Sequence, residues 1–333
     1  MQHPPQDIID ALDRMHLLDG VVPAGQPLTG GVSSDIWRID LPKRPICVKR
    51  ALSKLRVEAD WQAPVERNLY EARWMQVANR AAPGATPELL GQDTVSGTLA
   101  MEYLAADQYP LWKAQLRDGM VDPGFAASVA VTLGRIHAFT AADPALAAAF
   151  PTDAIFHDIR LEPYLTHTGR AHPDLADRMQ TLIETTQHNK LALVHGDVSP
   201  KNILCGPNGP VFLDAECAWW GDPAFDLAFC LNHLMLKCLW VPKARQALLA
   251  SFRAMTGAYL PLVDWEPAAA LEQRAARLLP ALFLARVDGK SPVEYIVNDS
   301  DRDRVRSVAR PLLFNPADHL ADICVAWEKE ISR

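Results

Sequence analysis

Apolar residues along this chain recur first at helical spacing, then in alternation, then at helical spacing again. Ile8, Ile9, Leu12, Met15, Leu17 and Leu18 predict a short leading helix ending near Gly20. A β-rich stretch follows, with one strand over Val32 to Ile39, entered from the Gly30-Gly31 turn, and a hairpin partner over Pro45 to Lys49. Residues 65–80 are amphipathic, with Leu69, Trp74, Val77 and Ala78 on one side, and Pro83-Gly84 ends that helix. Leu89 to Gly91 and Thr98 to Tyr103 predict two more short strands around the turn at Thr94 to Gly97. Beyond Leu104 the helical period dominates. It gives helices over Ala126 to Phe139, Leu175 to Gln187, Asp226 to Leu239, residues 243–260 and 268–287, and Ala317 to about Ile331. The fold class expected is α+β, with a small β-rich N-terminal lobe (1–104) and a larger, mostly helical C-terminal lobe (105–333).

Composition narrows the class of partner. The 333 residues are 49% hydrophobic and 22% charged, which suits a globular chain long enough for two cores. The net charge of −7 is spread evenly, without a basic patch or stripe, so nucleic acid is not an expected partner. The run Leu227 to Leu236 is interrupted by Asn232 and His233 and is too short to span a bilayer. No membrane partner and no signal peptide are expected, and the default placement is cytoplasmic, as a monomer or homodimer. Six cysteines without C-x-x-C spacing, several inside apolar runs, suggest buried free thiols.

The chemistry concentrates in His195-Gly196-Asp197-Val198-Ser199-Pro200-Lys201-Asn202, just after the apolar run Leu191 to Val194. A second acid cluster, Asp214-Ala215-Glu216, ends the apolar run Val211 to Leu213. Each of these residues alone serves as a cap or turn residue. Together, between two short strands, they supply what phosphoryl transfer needs. Asp197 is the expected catalytic residue, orienting the acceptor hydroxyl or accepting its proton. Asn202 and Asp214 offer hard oxygens to Mg²⁺, and Glu216 to a second ion directly or through water. His195 is expected to fix the loop by hydrogen bonding. Asp226, ahead of an apolar helix, is either a simple N-cap or an acceptor of backbone N–H bonds from the catalytic loop.

Further candidates lie around this core. The Gly30-Gly31-Val32-Ser33-Ser34 turn either faces a phosphate with its N–H groups, through Gly31, Val32 and Ser33, or is an ordinary hairpin. Lys49 ends its strand where it can reach nucleotide phosphates if a carboxylate steadies it; Glu71 is the expected partner and Glu66 the rival. Met101-Glu102-Tyr103-Leu104 leaves the last strand of the small lobe, so the backbone at Glu102 and Leu104 either pairs with an adenine edge or simply connects the lobes. Trp219-Trp220 either pack in the core or wall a substrate pocket. Arg286 and Lys290 belong to a solvated charge run or reach an anionic or polyhydroxyl substrate. Asp197→Ala is expected to abolish transfer with the fold intact, on the view that Asp197 is exposed.

Taken together, these residues make the chain resemble the aminoglycoside phosphotransferase/choline kinase superfamily of small-molecule kinases. The matching elements, in the family's order, are Gly-Gly-Val-Ser at Gly30, Val48-Lys49, Tyr70-Glu71-Ala72, Met101-Glu102-Tyr103-Leu104, Leu133-Gly134-Arg135-Ile136-His137, His-Gly-Asp-x-x-x-x-Asn from His195, and Asp214-x-Glu216. The resemblance implies a protein-kinase-like two-lobe fold, ATP between the lobes, and a small-molecule hydroxyl acceptor held mainly by the C-terminal lobe. No Asp-Phe-Gly, long activation segment or Ala-Pro-Glu lies between Asp214 and Asp226, so a protein acceptor is not expected. Lys49-Arg50-Ala51-Leu52, Leu55-Arg56-Val57 and Trp61 are similar to 5-methylthioribose kinases, from which the chain departs at Asn202. The expected activity is ATP- and Mg-dependent phosphorylation of a sugar or sugar-like alcohol. An antibiotic phosphotransferase and a pseudokinase-like scaffold are the alternatives.

Overall fold

The structure is a computed structural model, and it describes residues 3–28, 34–52 and 66–333. The expected turn residues Gly31, Val32 and Ser33, and the stretch Leu55 to Trp61, lie outside the described residues.

Helix α1 (Gln6–Arg14) precedes a five-stranded antiparallel sheet of β1 (Ala24–Pro27), β2 (Ser34–Asp40), β3 (Pro45–Ala51) and, after helix α2 (Arg67–Ala81), β4 (Leu89–Asp93) and β5 (Thr98–Glu102). The spatial order is β1-β2-β3-β5-β4. Successive residues of a strand face opposite sides of a sheet, and that alternation divides this lobe into two small cores. Ile46 and Val48 of β3 and Ala100 of β5 pack with Ile8 and Leu12 of α1. Leu99 and Met101 of β5 pack with Ala72 and Met75 of α2, and Cys47 of β3 joins them. Lys49 has the parity of Cys47. It therefore points to the α2 side, although its neighbour Val48 lies under α1.

The rest of the chain is mostly helical. It begins with α3 (Trp112–Arg117), α4 (Pro123–Thr140), α5 (Pro144–Ala149) and α6 (Asp153–Phe156), which runs into a π-helical stretch (His157–Thr166). Helices α7 (His167–Ala171) and α8 (Ala176–His188) follow. Two antiparallel ribbons then interlock in sequence. Strand β6 (Ala192–Val194) pairs with β9 (Trp219–Gly221), and between them β7 (Ile203–Gly206) pairs with β8 (Gly209–Phe212). The chain finishes with α9 (Pro223–Trp240), α10 (Arg245–Tyr259), α11 (Ala268–Asp288), α12 (Asp299–Phe314) and α13 (Leu320–Ile331).

Helix α9 is the centre of the larger core. Every residue from Pro223 to Leu239 is buried, the pattern of a helix packed on all sides. Asp222 caps it by accepting the Ala224 N–H at 3.0 Å, and Asp222 is in turn held by Arg274 at 2.9 Å. Among the described residues no single helix is long and apolar enough to cross a membrane.

The expected elements do not include β1, α3, the run from α5 through the π-helical stretch to α7, or α12. Helix α12 is rich in Asp and Arg and buries only Val305, Val308, Ala309 and Leu313, so its apolar stripe is thin. Its start is set by Asn298, whose side chain accepts the Asp301 N–H at 2.7 Å. All six cysteines are free thiols; Cys47 and Cys205 are half-buried and the other four are buried.

Candidate active site

The two ribbons put the chemistry-bearing residues on adjacent connections. His195 to Asn202 link β6 to β7, and Leu213 to Ala218 link β8 to β9. The Leu213 N–H donates to the Asn202 carbonyl at 2.8 Å and ties the two connections together. Gly196 turns the first loop with φ +79°, and a Cβ there would meet the Cys217 carbonyl at 2.6 Å. Only glycine satisfies both demands.

Asp226 anchors the loop from below. It accepts the His195 N–H at 2.7 Å and the Gly196 N–H at 2.8 Å, and its Oδ2 lies 3.3 Å from His137 Nε2. The open choice between a plain N-cap and a loop anchor is settled for the anchor; the capping of α9 falls to Asp222. His195 is oriented by two bonds. Its Nδ1 accepts the Asp197 N–H at 3.1 Å, which leaves the proton on Nε2 for the Leu213 carbonyl at 3.1 Å. Burial pushes the His195 pKa below its ordinary value despite Asp226 and Asp197 nearby, so the ring is neutral and structural.

Asp197 is 5% exposed and sits between two cations, Arg160 Nη2 at 2.9 Å and Lys201 Nζ at 2.8 Å. Burial opposes ionisation, but Arg160 and Lys201 outweigh it and hold the carboxyl below its ordinary value. This corrects the expectation of an exposed group whose removal leaves the fold untouched, because deleting it strands a buried guanidinium. Arg160 was not anticipated. It comes from the π-helical stretch, where it also donates to the carbonyls of Gly196 and Ile159. Its signal in the sequence was slight: one Arg between Ile159 and Leu161.

Across the cleft, Lys49 Nζ lies 2.7 and 2.9 Å from the two Glu71 oxygens and 2.5 Å from Asp214 Oδ1. One ammonium thus bridges a carboxylate of the N-terminal sheet side and one beyond β8. Burial works against each charge, yet the Lys49 ammonium and Lys201 hold Asp214 well below the usual carboxylate range. Glu71, buried and close to Asp214, is pushed up to about 7. Glu66, the rival to Glu71, is exposed at the start of α2. Asp214 itself has φ +66°, a left-handed conformation that Asp tolerates better than most residues and that aims its carboxylate at Lys49.

Glu216 pairs with Arg67 of α2 at 2.8 Å, a partner the sequence did not suggest. Asn202 Nδ2 donates to the Asp197 carbonyl at 3.1 Å, which leaves Oδ1, 3.3 Å from Lys201 Nζ, as its accepting end. Among the described residues no group of three or more His, Cys, Asp and Glu side chains forms a metal cage. Mg²⁺ needs none: it takes one or two protein oxygens and completes its shell with water and phosphate. Asn202, Asp214 and Glu216 are hard oxygen donors of that kind, so the donor set fits.

Glu102 ends β5, and its N–H is taken by the Glu88 carbonyl at 2.9 Å; Leu104 follows in the connection to α3. The tryptophans are core residues. Trp219 and Trp220 are 1% and 8% exposed on β9, and Trp219 stacks on Phe156 with centroids 4.1 Å apart while its Nε1 donates to Asp153 at 2.6 Å. Both belong to the large hydrophobic core, on opposite faces of β9. Arg286 is not in a solvated charge run either. It is 7% exposed and donates to Tyr164 Oη at 3.0 Å and to the Ser291 carbonyl. Lys290 is half-buried on the connection after α11.

Comparison with known proteins agrees with this architecture. The model of the phosphotransferase enzyme family matches residues 24–271. Methylthioribose kinase 1 of Oryza sativa subsp. japonica is 23% identical over 222 residues, 57% of this chain and 51% of that protein. The chain thus spans about half the length of the curated relatives it matches. Among solved structures, an aminoglycoside phosphotransferase from Alicyclobacillus acidocaldarius subsp. acidocaldarius superposes with TM-score 0.51 at 15% identity, covering 100% of this chain and 98% of that one. An amicoumacin kinase in complex with AMP-PNP, Ca²⁺ and Ami gives TM-score 0.54 at 12% identity, covering 89% and 90%. The fold is the protein-kinase-like α+β fold of those structures.

Proposed function

This chain belongs to the phosphotransferase enzyme family, and from that premise we propose that it transfers the γ-phosphoryl group of ATP to a hydroxyl of a small metabolite, a sugar or sugar-like alcohol. The observation that carries the reading is the convergence on one cleft of Lys49, held by Glu71 and Asp214, with Asp197 held by Arg160 and Lys201.

In this reading Asp197 orients the acceptor hydroxyl and accepts its proton as the oxygen–phosphorus bond forms. The bond from the γ-phosphorus to the β–γ bridging oxygen breaks, and ADP leaves. Lys49 reaches the nucleotide phosphates, and Glu71 keeps it extended. The turn at Gly31, Val32 and Ser33 would cover the phosphates, and the backbone at Glu102 and Leu104 would meet the adenine. Asn202, Asp214 and Glu216 would hold Mg²⁺, which when bound neutralises phosphate charge. Lys201 Nζ, 2.8 Å from Asp197, adds a cation where the transferred group passes.

Support for a sugar acceptor comes from the methylthioribose kinase likeness, at 23% identity. The test is ADP release from Mg·ATP over a panel of sugars, amino alcohols and antibiotics, by the wild type and by Asp197→Asn. Turnover with a hydroxylated compound that Asp197→Asn loses is the expected result. Turnover that survives Asp197→Asn unchanged overturns the mechanism.

A further inference from the structure

Behind the catalytic loop, α9 and α11 bury a set of polar side chains that the phosphoryl-transfer machinery does not use. Phe229, His233 and Lys237 stand four residues apart on one face of α9. Arg286 of α11 and Tyr295, on the connection to α12, join them. Lys237 is 1% exposed and has no carboxylate within ion-pair distance among the described residues. Its Nζ lies over the Tyr295 ring at 4.6 Å and the Trp240 ring at 5.0 Å, and those two rings stack. Three buried polar atoms here have no hydrogen-bond partner: His233 Nε2, Arg286 Nε and Tyr295 Oη. The nearby acid is Glu294, and it is already paired with Lys113.

Position makes this cluster relevant to the reaction. Arg160, which holds Asp197, lies over the rings of Tyr164 and Phe229 at 5.9 and 5.7 Å. Arg286 lies over the same Tyr164 ring at 5.5 Å, and His233 packs edge-on against the same Phe229 at 5.5 Å. The cluster and the arginine of the catalytic carboxylate thus share the rings of Tyr164 and Phe229, and Lys201, which pairs with Asp197, is among the charges that act on His233. Burial pushes Lys237 down to about 7, with Lys113 and Arg286 adding repulsion. An arginine and a lysine without carboxylates, beside unpartnered donors, disfavour the fold by themselves. An anion entering among them would regain hydrogen bonds to several charged donors at once. A polycation would meet like charge.

We propose that the acceptor carries an anionic group, a carboxylate or a phosphate, that Lys237, Arg286, His233 and Tyr295 receive while one of its hydroxyls faces Asp197. This rests on the reading of the chain as a small-molecule kinase, and it narrows the acceptor to hydroxylated anions rather than neutral sugars or cationic antibiotics.

The test titrates the full chain, with Mg·ADP filling the nucleotide site, with D-gluconate, glycerol 3-phosphate and uncharged sorbitol, reading thermal melting and tryptophan fluorescence. One or both anions should bind and sorbitol should not; gluconate alone marks a carboxylate site, glycerol 3-phosphate alone a phosphate site. Losing one charged donor should weaken the anion about tenfold or more in Lys237→Met. Tyr295→Phe, which keeps the ring stacked on Trp240, should weaken it less. Binding of neither anion, or equal binding by wild type and Lys237→Met, overturns the proposal. If the wild type binds an anion but releases no ADP from Mg·ATP with any hydroxylated compound, the kinase reading falls and the anion site stands. If neutral or cationic acceptors drive ADP release and Lys237→Met leaves that rate unchanged, the anion site falls and the kinase reading stands.

Discussion

Two buried polar regions of this molecule are built on opposite terms. Around Asp197 and Asp214 every charge has an opposite: Arg160 and Lys201 on one carboxylate, Lys49 shared between Asp214 and Glu71, Arg67 on Glu216. Around His233, Lys237 and Arg286 the cations are held over aromatic rings, and donors are left without acceptors. A network whose members all have partners is stiff and specific, and removing one member leaves another exposed to the low dielectric. A cluster short of anions gains nothing from its charges until something else arrives. The first region is organised before substrate binds. The second is organised to be completed.

The largest contrast should appear in activity on removal of Asp197. Asp197→Asn keeps a hydrogen-bonding group beside Arg160 but loses the base, and ADP release in the presence of acceptor should fall by roughly 10²–10⁴-fold. Asp197→Ala should lose as much activity and also about 3–5 kcal/mol of stability, measured by urea unfolding, because Arg160 is left as an unpaired buried charge. Next comes Asp226, which takes two loop N–H groups and faces His137. Asp226→Ala should cost about 3 kcal/mol or more from two charge-assisted hydrogen bonds, and turnover should fall with it as the loop loses its anchor. A variant with wild-type stability would show that the loop is held by its other contacts.

Much of the first region was legible in the sequence because its residues are bunched. The loop from His195 to Asn202 and the pair Asp214 and Glu216 stand at the ends of apolar runs, and strand alternation sends Lys49 to the α2 side, where Glu71 is found. The cations that complete the network were harder to see. Arg160 arrives from a π-helical stretch that no helical period describes, and Arg67 lies 149 positions from its partner Glu216. The second region was hidden for a related reason. Arg286 reads as part of a charged run because Asp288 and Lys290 follow it, yet α11 turns it inward to Tyr164. Trp219 and Trp220 show the converse: beside the metal-type acids both a core and a pocket are open, and burial in the large core is what the fold gives them.

The smallest expected effect is on stability, and it has the opposite sign. Lys237→Met removes a buried cation without a carboxylate partner and keeps the length of the side chain, so the variant should match or exceed the wild type by roughly 1–3 kcal/mol near neutral pH. The pH dependence sharpens this. Lys237 is pushed down to about 7, by burial first and then by Lys113 and Arg286, with Glu294 and Cys230 acting the other way. A basic group whose pKa is lower folded than unfolded binds fewer protons in the folded state between those two values, so its destabilisation fades as pH rises. Below about pH 7 the lysine is charged in both states and the penalty is fully present. Between about 7 and the ordinary lysine value of 10.5 the wild type gains on the variant. Urea unfolding of both proteins at pH 6.5 and 9.5 measures the difference, and the gap should narrow at the higher pH. A gap that is constant across that range would mean that Lys237 is neutralised by a partner in the fold, and the two regions would then be built alike.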